Sequence, residues 1–268
     1  MYLTKNHTMN RTPFSLQEHK EPLKWDLDKV DSSGKFTESL LEKAIIKTKE
    51  KGPLSKIADM AVDLSPKKIL IAVPTAKYIE VDTFKSIYDL EIPTPKGHVG
   101  YETFFQYFYG YNIEQIRNLV VSKMEYFDYL FFVDSDIVLP SDTLTKMLKH
   151  DKDIVSGVYI QRKPDVQVVE LYQSNNRGGL MNIPFEKIRN PQLYEIAGCG
   201  FGCVLIKAEV LRKIEYPHFR YTMADVDTIG ESEDTYFCRK AREAGFKVWV
   251  DSSIICDHIG SRVFRPTE

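Results

Sequence analysis

The sequence predicts an α/β fold, a mostly parallel sheet with helices on its faces. From residue 67 onward, short β-rich runs alternate with stretches of helical spacing, each of about the right length for one layer of such a fold. The run "FFVDSDIVLP" at 131–140 reads as a buried strand whose apolar sequence is broken by two carboxylates, Asp134 and Asp136. Thr75, Asp134, Asp136 and Asp251 all fall at the predicted C-terminal ends of strands, where ligands bind in folds of this class.

The elements follow in order. Residues 1–35 are polar and irregular, with prolines at 13 and 22. Phe36, Leu40, Leu41, Ala44 and Ile45, then Leu54, Ile57, Ala58, Ala61 and Val62 on the far side of Pro53, predict two amphipathic helices. Residues 1–66 carry 11 Lys+Arg against 10 Asp+Glu, so this extension is no basic nucleic-acid arm. The main domain, 67–268, opens with the strand "KKILIAVPT" (67–75), followed by a helix near 82–90 and an aromatic strand within 98–111. Ile113, Ile116, Leu119, Val120, Met124 and Phe127 space a helix over 113–127, which leads into the strand "DYLFFV". Ser141 caps the next helix after Pro140, with Leu144, Met147 and Leu148 inside. "DIVSGVYI" (153–160) is a strand, and 174–191 reads as a loop. Two strand pieces around a glycine turn and a helix occupy 194–214. "SEDTYFCRKAREAG" is a helix with Phe237, Ala241 and Ala244 inward and Gly245 as its stop; the strand "FKVWVD" follows.

Composition narrows the function classes. A chain of 268 residues can bury one sizeable core plus an extension. Its 43% hydrophobic and 28% charged residues are those of an ordinary globular protein. A net charge of -2 argues against a surface that coats polyanions, though it leaves room for a local basic groove. No apolar run approaches the roughly 20 residues that span a bilayer. "MYLTKNHTMNRTPF" lacks the apolar centre of a secretory signal. Cys199, Cys203, Cys238 and Cys256 do not have zinc-ribbon spacing and read as reduced thiols, so a cytoplasmic location is expected.

The paired aspartates admit several readings. Calcium binding in a helix-loop-helix fails, because the sixth and twelfth positions from Asp134 hold Leu139 and Thr145 instead of Gly and Glu. A solvated loop whose aspartates cap the next helix is weakened by Ser141, which is better placed. Two enzymatic patterns fit: the nucleophile and general acid of dehalogenase-type phosphatases, and the DxD of metal-dependent glycosyltransferases. The phosphatase strand normally opens its domain, whereas here a β-α unit and a second strand come first. A non-catalytic module that binds sugar or nucleic acid is the remaining alternative.

From about 67 to 260 the chain resembles GT-A glycosyltransferases of the family-2 type, compact phage and prokaryotic relatives, and fungal mannan-polymerase mannosyltransferases. "ILIAVPT", "IRNLVV", "YLFFVDSDIVLP", "AGCGFGCVLI", "SEDTYFCRKAREAGFKVWVD" and "CDHIG", in that order, carry the resemblance. It implies transfer of a hexose or pentose from a UDP- or GDP-sugar, with Mn2+ or Mg2+, to an acceptor hydroxyl on a carbohydrate or a modified DNA base. Asp136 and His258 would hold the metal, an imidazole favouring Mn over Mg, and Asp134 would meet the ribose or reach the metal through water. Ser135 and Gly200 would line the donor site, with the small residues of "GCGFGC" admitting a sugar closely. Thr75 would either cradle the base or simply cap its strand. Arg117 and Asn118 would contact the donor, brace the DxD loop, or belong to a surface helix. Arg162 and Lys163 read better as an exposed turn than as contacts to the diphosphate or acceptor. In the inverting pattern Asp234, ahead of Glu233, is the general base, which requires it to stay ionised near the hydroxyl. A retaining enzyme would not need it.

Overall fold

A computed structural model of the chain describes residues 9–10, 65–94, 100–163, 167–175, 179–225, 228–260 and 263–265. The first elements are β1 (Met9–Asn10), β2 (Lys67–Pro74), α1 (Val81–Tyr88), β3 (Tyr101–Phe108), α2 (Ile113–Val121), β4 (Tyr129–Val133) and β5 (Ile137–Val138). Then come α3 (Thr143–His150), β6 (Ile154–Val158), β7 (Leu171–Ser174), β8 (Leu180–Asn182), β9 (Leu193–Ile196), β10 (Gly198–Cys199), β11 (Cys203–Lys207) and α4 (Ala208–Lys213). The chain closes with β12 (Thr222–Asp225), β13 (Thr228–Glu231), α5 (Glu233–Glu243), β14 (Val248–Ile255), β15 (Asp257–Ile259) and β16 (Val263–Phe264). The two helices expected between Phe36 and Val62 lie outside the described residues.

The central sheet has the order β1-β3-β2-β4-β11-β6-β14-β9. Pairs β2/β3, β2/β4 and β6/β14 are parallel. β11 runs antiparallel between β4 and β6, so β2, β3, β4, β6 and β14 share one direction and their C-terminal ends share one edge. This is the expected α/β class, with β11 and the edge strands β1 and β9 reversed.

Both faces of the sheet are covered, which is why β4 can be apolar throughout. Leu130 and Phe132 point into one core with Ile116 and Val120 of α2 and Phe237 and Ala241 of α5. Phe131 and Val133, one residue out of phase, point into the other with Ile87 of α1 and Leu144 and Met147 of α3. Phe131 and Phe132 are fully buried, each worth about 1.5–3 kcal/mol of transfer free energy. Among the described residues no helix is long and apolar enough to cross a membrane. All four cysteines are buried and free.

Several boundaries differ from the sequence reading. α2 ends at Val121 and a short 3-10 turn, Met124–Tyr126, completes the stretch with Met124 still buried. Ser141 is not the cap of α3: its hydroxyl meets Glu91 at 2.9 Å, and Asp142 precedes the helix. The loop expected over 174–191 contains β8, paired with β7. Ala244 is exposed at the end of α5, and Cys238 takes the inward position. β14 runs on to Ile255, so Asp251 sits inside a strand instead of at its end. There it is buried and bonded to His150.

Candidate active site

The Asp134–Asp136 turn leaves the C-terminal end of β4 and is held by backbone. The Asp134 amide donates to the Gly202 carbonyl at 3.1 Å, and the Asp134 carbonyl accepts from Ile137 at 3.2 Å. Glu80 donates its amide to the Ser135 carbonyl at 2.9 Å. On this turn the two carboxylates take different partners. Asp134 Oδ1 lies 3.3 Å from Arg117 Nη2. Asp136 Oδ2 accepts from Arg162 Nη1 at 2.7 Å, and its Oδ1 lies 3.5 Å from His258 Nε2.

His258 arrives through strand pairing. β15 lies antiparallel on β5, with His258 opposite Ile137, and Ile259 donates its amide to the Asp136 carbonyl at 2.8 Å. His258 Nδ1 is 2.8 Å from the Ile160 carbonyl. A carbonyl only accepts, so Nδ1 carries a proton, and Nε2 is the ring nitrogen that faces Asp136. Burial works against a charged imidazole here. Asp136 and the Ile160 carbonyl outweigh it and raise the His258 pKa above its ordinary value. The Asp134 carboxyl is also raised, burial outweighing the pull of Arg117.

A carboxylate oxygen and an imidazole nitrogen fixed by a carbonyl behind it are a donor pair suited to Mn2+ or Mg2+. Among the described residues no cluster of three or more His, Cys, Asp or Glu side chains is gathered for a metal. Such an ion would complete its shell with phosphate oxygens and water, as small divalent cations do on nucleotides. The residues present therefore fit an ion that takes most of its ligands from outside the protein.

Arg117 organises the other end of the cleft. Its guanidinium is buried, lies 2.7 Å from Glu233 Oε1, and also contacts Asp134 and Asp234. Phe132, Phe201 and Phe219 surround it, with ring centroids 5.9, 5.3 and 5.9 Å from Cζ. Burial alone would lower its pKa; the Asp134 and Glu233 carboxylates reverse that, and Arg117 stays charged. Glu233 and Asp234 form the first turn of α5, where the helix dipole favours carboxylates, behind the capping hydroxyl of Ser232. Asp234 Oδ2 accepts from the Phe201 amide at 3.3 Å, and its side chain stays 17% exposed against 6% for Glu233, so Asp234 is the more reachable of the two.

A cleft of about 600 Å³ joins these groups. Of the residues singled out from sequence, Thr75, Arg117, Asp134, Ser135, Asp136, Gly200, Glu233, Asp234 and His258 line it. Thr75 spends its hydroxyl on the Tyr78 carbonyl at 2.6 Å while remaining in the wall. Asn118 does not line the cleft. Its amide bonds Glu114 and Phe219 carbonyls and accepts from the His218 and Phe219 amides, fastening the 218–219 segment that carries a ring of the Arg117 cage.

Gly200 and Gly202 are small because Tyr159 packs on them. A Cβ on Gly200 would collide with the Tyr159 hydroxyl, and one on Gly202 would lie 2.8 Å from its Cζ. Arg162, read as an exposed turn in preference to a diphosphate or acceptor contact, is exposed and also lines this cleft and a neighbouring one of about 350 Å³. The sequence reading missed Glu170 and Tyr172. Nothing in their local sequence marks them, because strand pairing and not spacing brings them to the cleft.

No family model matches the chain, and no curated protein matches it. Among solved structures it is similar to A197 from STIV, with 18% identity and a TM-score of 0.49 over 75% of this chain and 95% of that one. It is also similar to GalNAc-T7, solved with UDP, GalNAc and Mn2+, with 12% identity and a TM-score of 0.49 over 75% of this chain and 45% of that one. S. aureus TarS 1-349 matches with 15% identity and a TM-score of 0.38 over 74% of this chain and 59% of that one. The chain thus spans about half the length of the GalNAc-T7 and TarS chains it matches.

Proposed function

We propose that this chain is a GT-A type glycosyltransferase that moves a sugar from a nucleotide-diphosphate sugar to an acceptor hydroxyl. The observation that carries the reading is the pairing of β15 on β5, which sets Nε2 of His258 beside Asp136 at a strand-end turn. Asp136 and His258 would hold the cation, which when bound supplies Lewis-acid stabilisation of the charge on the departing diphosphate. Asp134, fixed by Arg117, contacts the donor. Arg162 gives the same end of the cleft a second positive group for phosphate.

At the other end Asp234 is the base, held by Arg117 and the Phe201 amide. It takes the proton of the acceptor hydroxyl as that oxygen forms its bond to the anomeric carbon. The bond from that carbon to the diphosphate oxygen breaks with its electron pair, and the configuration inverts. Arg117 positions this end by holding Glu233, Asp234 and Asp134 together.

The test is a thermal-shift panel of UDP, GDP, CMP and dTDP with and without Mn2+. At least one diphosphate is expected to stabilise the protein only when Mn2+ is present. A complete panel without such a shift would remove the reading. Hydrolysis of simple phosphate esters, abolished by Asp134→Asn, would replace it with the phosphatase.

A further inference from the structure

Glu170 has no part in the reaction described above, yet it lines the cleft. It stands immediately before β7 and is anchored by backbone on both sides: its amide donates to the Tyr159 carbonyl at 3.1 Å, and its carbonyl accepts from Gly200 at 2.8 Å. The Tyr172 hydroxyl donates to Oε2 at 2.7 Å, which orients the carboxylate and leaves its other oxygen for a ligand.

The next amide along, that of Phe201, donates to Asp234. Successive amides of one turn therefore hold Glu170 on one side and Asp234 on the other. Between them Gly200 lines the cleft with its backbone, and the Tyr159 hydroxyl fills the space a Cβ there would need. A wall of backbone and phenol flanked by an oriented carboxylate suits a ring bearing adjacent hydroxyls, since an ionised carboxylate accepts strongly and cannot donate.

Charge narrows the ligand further. Glu170, Glu233 and Asp234 line this end of the cleft, and the cation among them, Arg117, is engaged by Glu233, Asp234 and Asp134. Arg162 and His258 stand at the Asp136 end. Among the described residues, an acidic sugar on Gly200 would meet carboxylates without a free counter-charge.

We propose that Glu170, oriented by Tyr172, is a specificity-determining residue that binds the hydroxyls of a neutral sugar lying on Gly200 and rejects hexuronates. This rests on the donor reading above, and its test separates the two. Calorimetric titrations with Mn2+ would use UDP, UDP-glucose and UDP-glucuronate, and GDP, GDP-mannose and GDP-mannuronate. Wild type is expected to bind the hexuronate form more weakly than the hexose form of the preferred nucleotide. Glu170→Gln should weaken the hexose form about tenfold, the order expected for losing a charged hydrogen bond, relieve the hexuronate penalty, and leave the bare nucleotide unchanged. Tyr172→Phe should shift the hexose form the same way by less.

Equal affinity of wild type for hexose and hexuronate would overturn the proposal while the donor reading stood. So would an unchanged hexose affinity in Glu170→Gln, or an equal loss of bare-nucleotide binding, which would make Glu170 a support of the cleft wall. Failure of UDP, GDP, CMP and dTDP alike on wild type would remove the donor reading and this inference with it.

Discussion

Asp251 meets His150 at 2.8 Å, and Asp136 meets His258 at 3.5 Å. The residue types are the same, but the surroundings differ. Asp251 lies within β14, is 4% exposed, and has its other oxygen bonded to the Ser253 amide at 2.8 Å. Asp136 lies on an irregular turn; its other oxygen is held by the half-exposed Arg162, and its histidine stands off at a distance longer than a hydrogen bond. The first pair has satisfied itself in place. The second keeps a gap and a displaceable partner, and its imidazole is oriented from behind by Ile160. What separates a bracing pair from one open to a ligand is how its remaining lone pairs are occupied.

The widest separation between the two pairs should come from Asp136→Ala, expected to weaken Mn2+-dependent binding of the preferred nucleotide at least about a hundredfold while changing thermal stability little. Loss of that binding in Asp251→Ala as well would break the comparison. His258→Ala should come next, weakening Mn2+ by about 10–100-fold in a competition titration against a chelator dye. His150→Ala should leave the same titration unchanged. On stability the order reverses: Asp251→Ala should cost about 1.5–3 kcal/mol in urea unfolding, the range for a charged hydrogen bond.

The smallest effect is in acid. Burial would raise the Asp251 carboxyl, but His150 and Ser253 outweigh it and hold the pKa below the ordinary value. The folded state then binds fewer protons than the unfolded one. The stabilisation is complete above the unfolded value of about 3.9 and is lost as pH falls through the lower folded value. Asp251→Asn should flatten that part of the acid limb in a pH series of unfolding curves.

Much of the fold was legible because burial on two faces leaves a plain mark. "YLFFV" has to be a covered strand, and the helix stripes at Ile116 and Val120 or Phe237 and Ala241 have to face it. The DxD turn was legible for the same reason, since carboxylates that interrupt such a run must leave the core. Asp251 was misplaced because "FKVWVD" gives no sign that β14 continues through "SSII". Ser141 had the right type for a cap, but Glu91, from a different part of the chain, claims its hydroxyl. Glu170 was hidden more deeply, because its position depends on how β6, β7 and the Gly200 turn come together in three dimensions. Asn118 shows the converse, a motif residue whose amide braces the cage around its neighbour and does not line the cleft.

The packing of Tyr159 over Gly200 and Gly202 bears on how such a cleft can change over time. The Tyr159 hydroxyl accepts from the Gly202 amide at 3.0 Å and occupies the space a side chain at Gly200 would need. Neither position can vary first without penalty: a larger residue at 200 collides with the phenol, and loss of the phenol strips Gly202 of its partner. Sugar preference in descendants of this chain should therefore drift through Glu170 and Tyr172, while 159, 200 and 202 move only as a group.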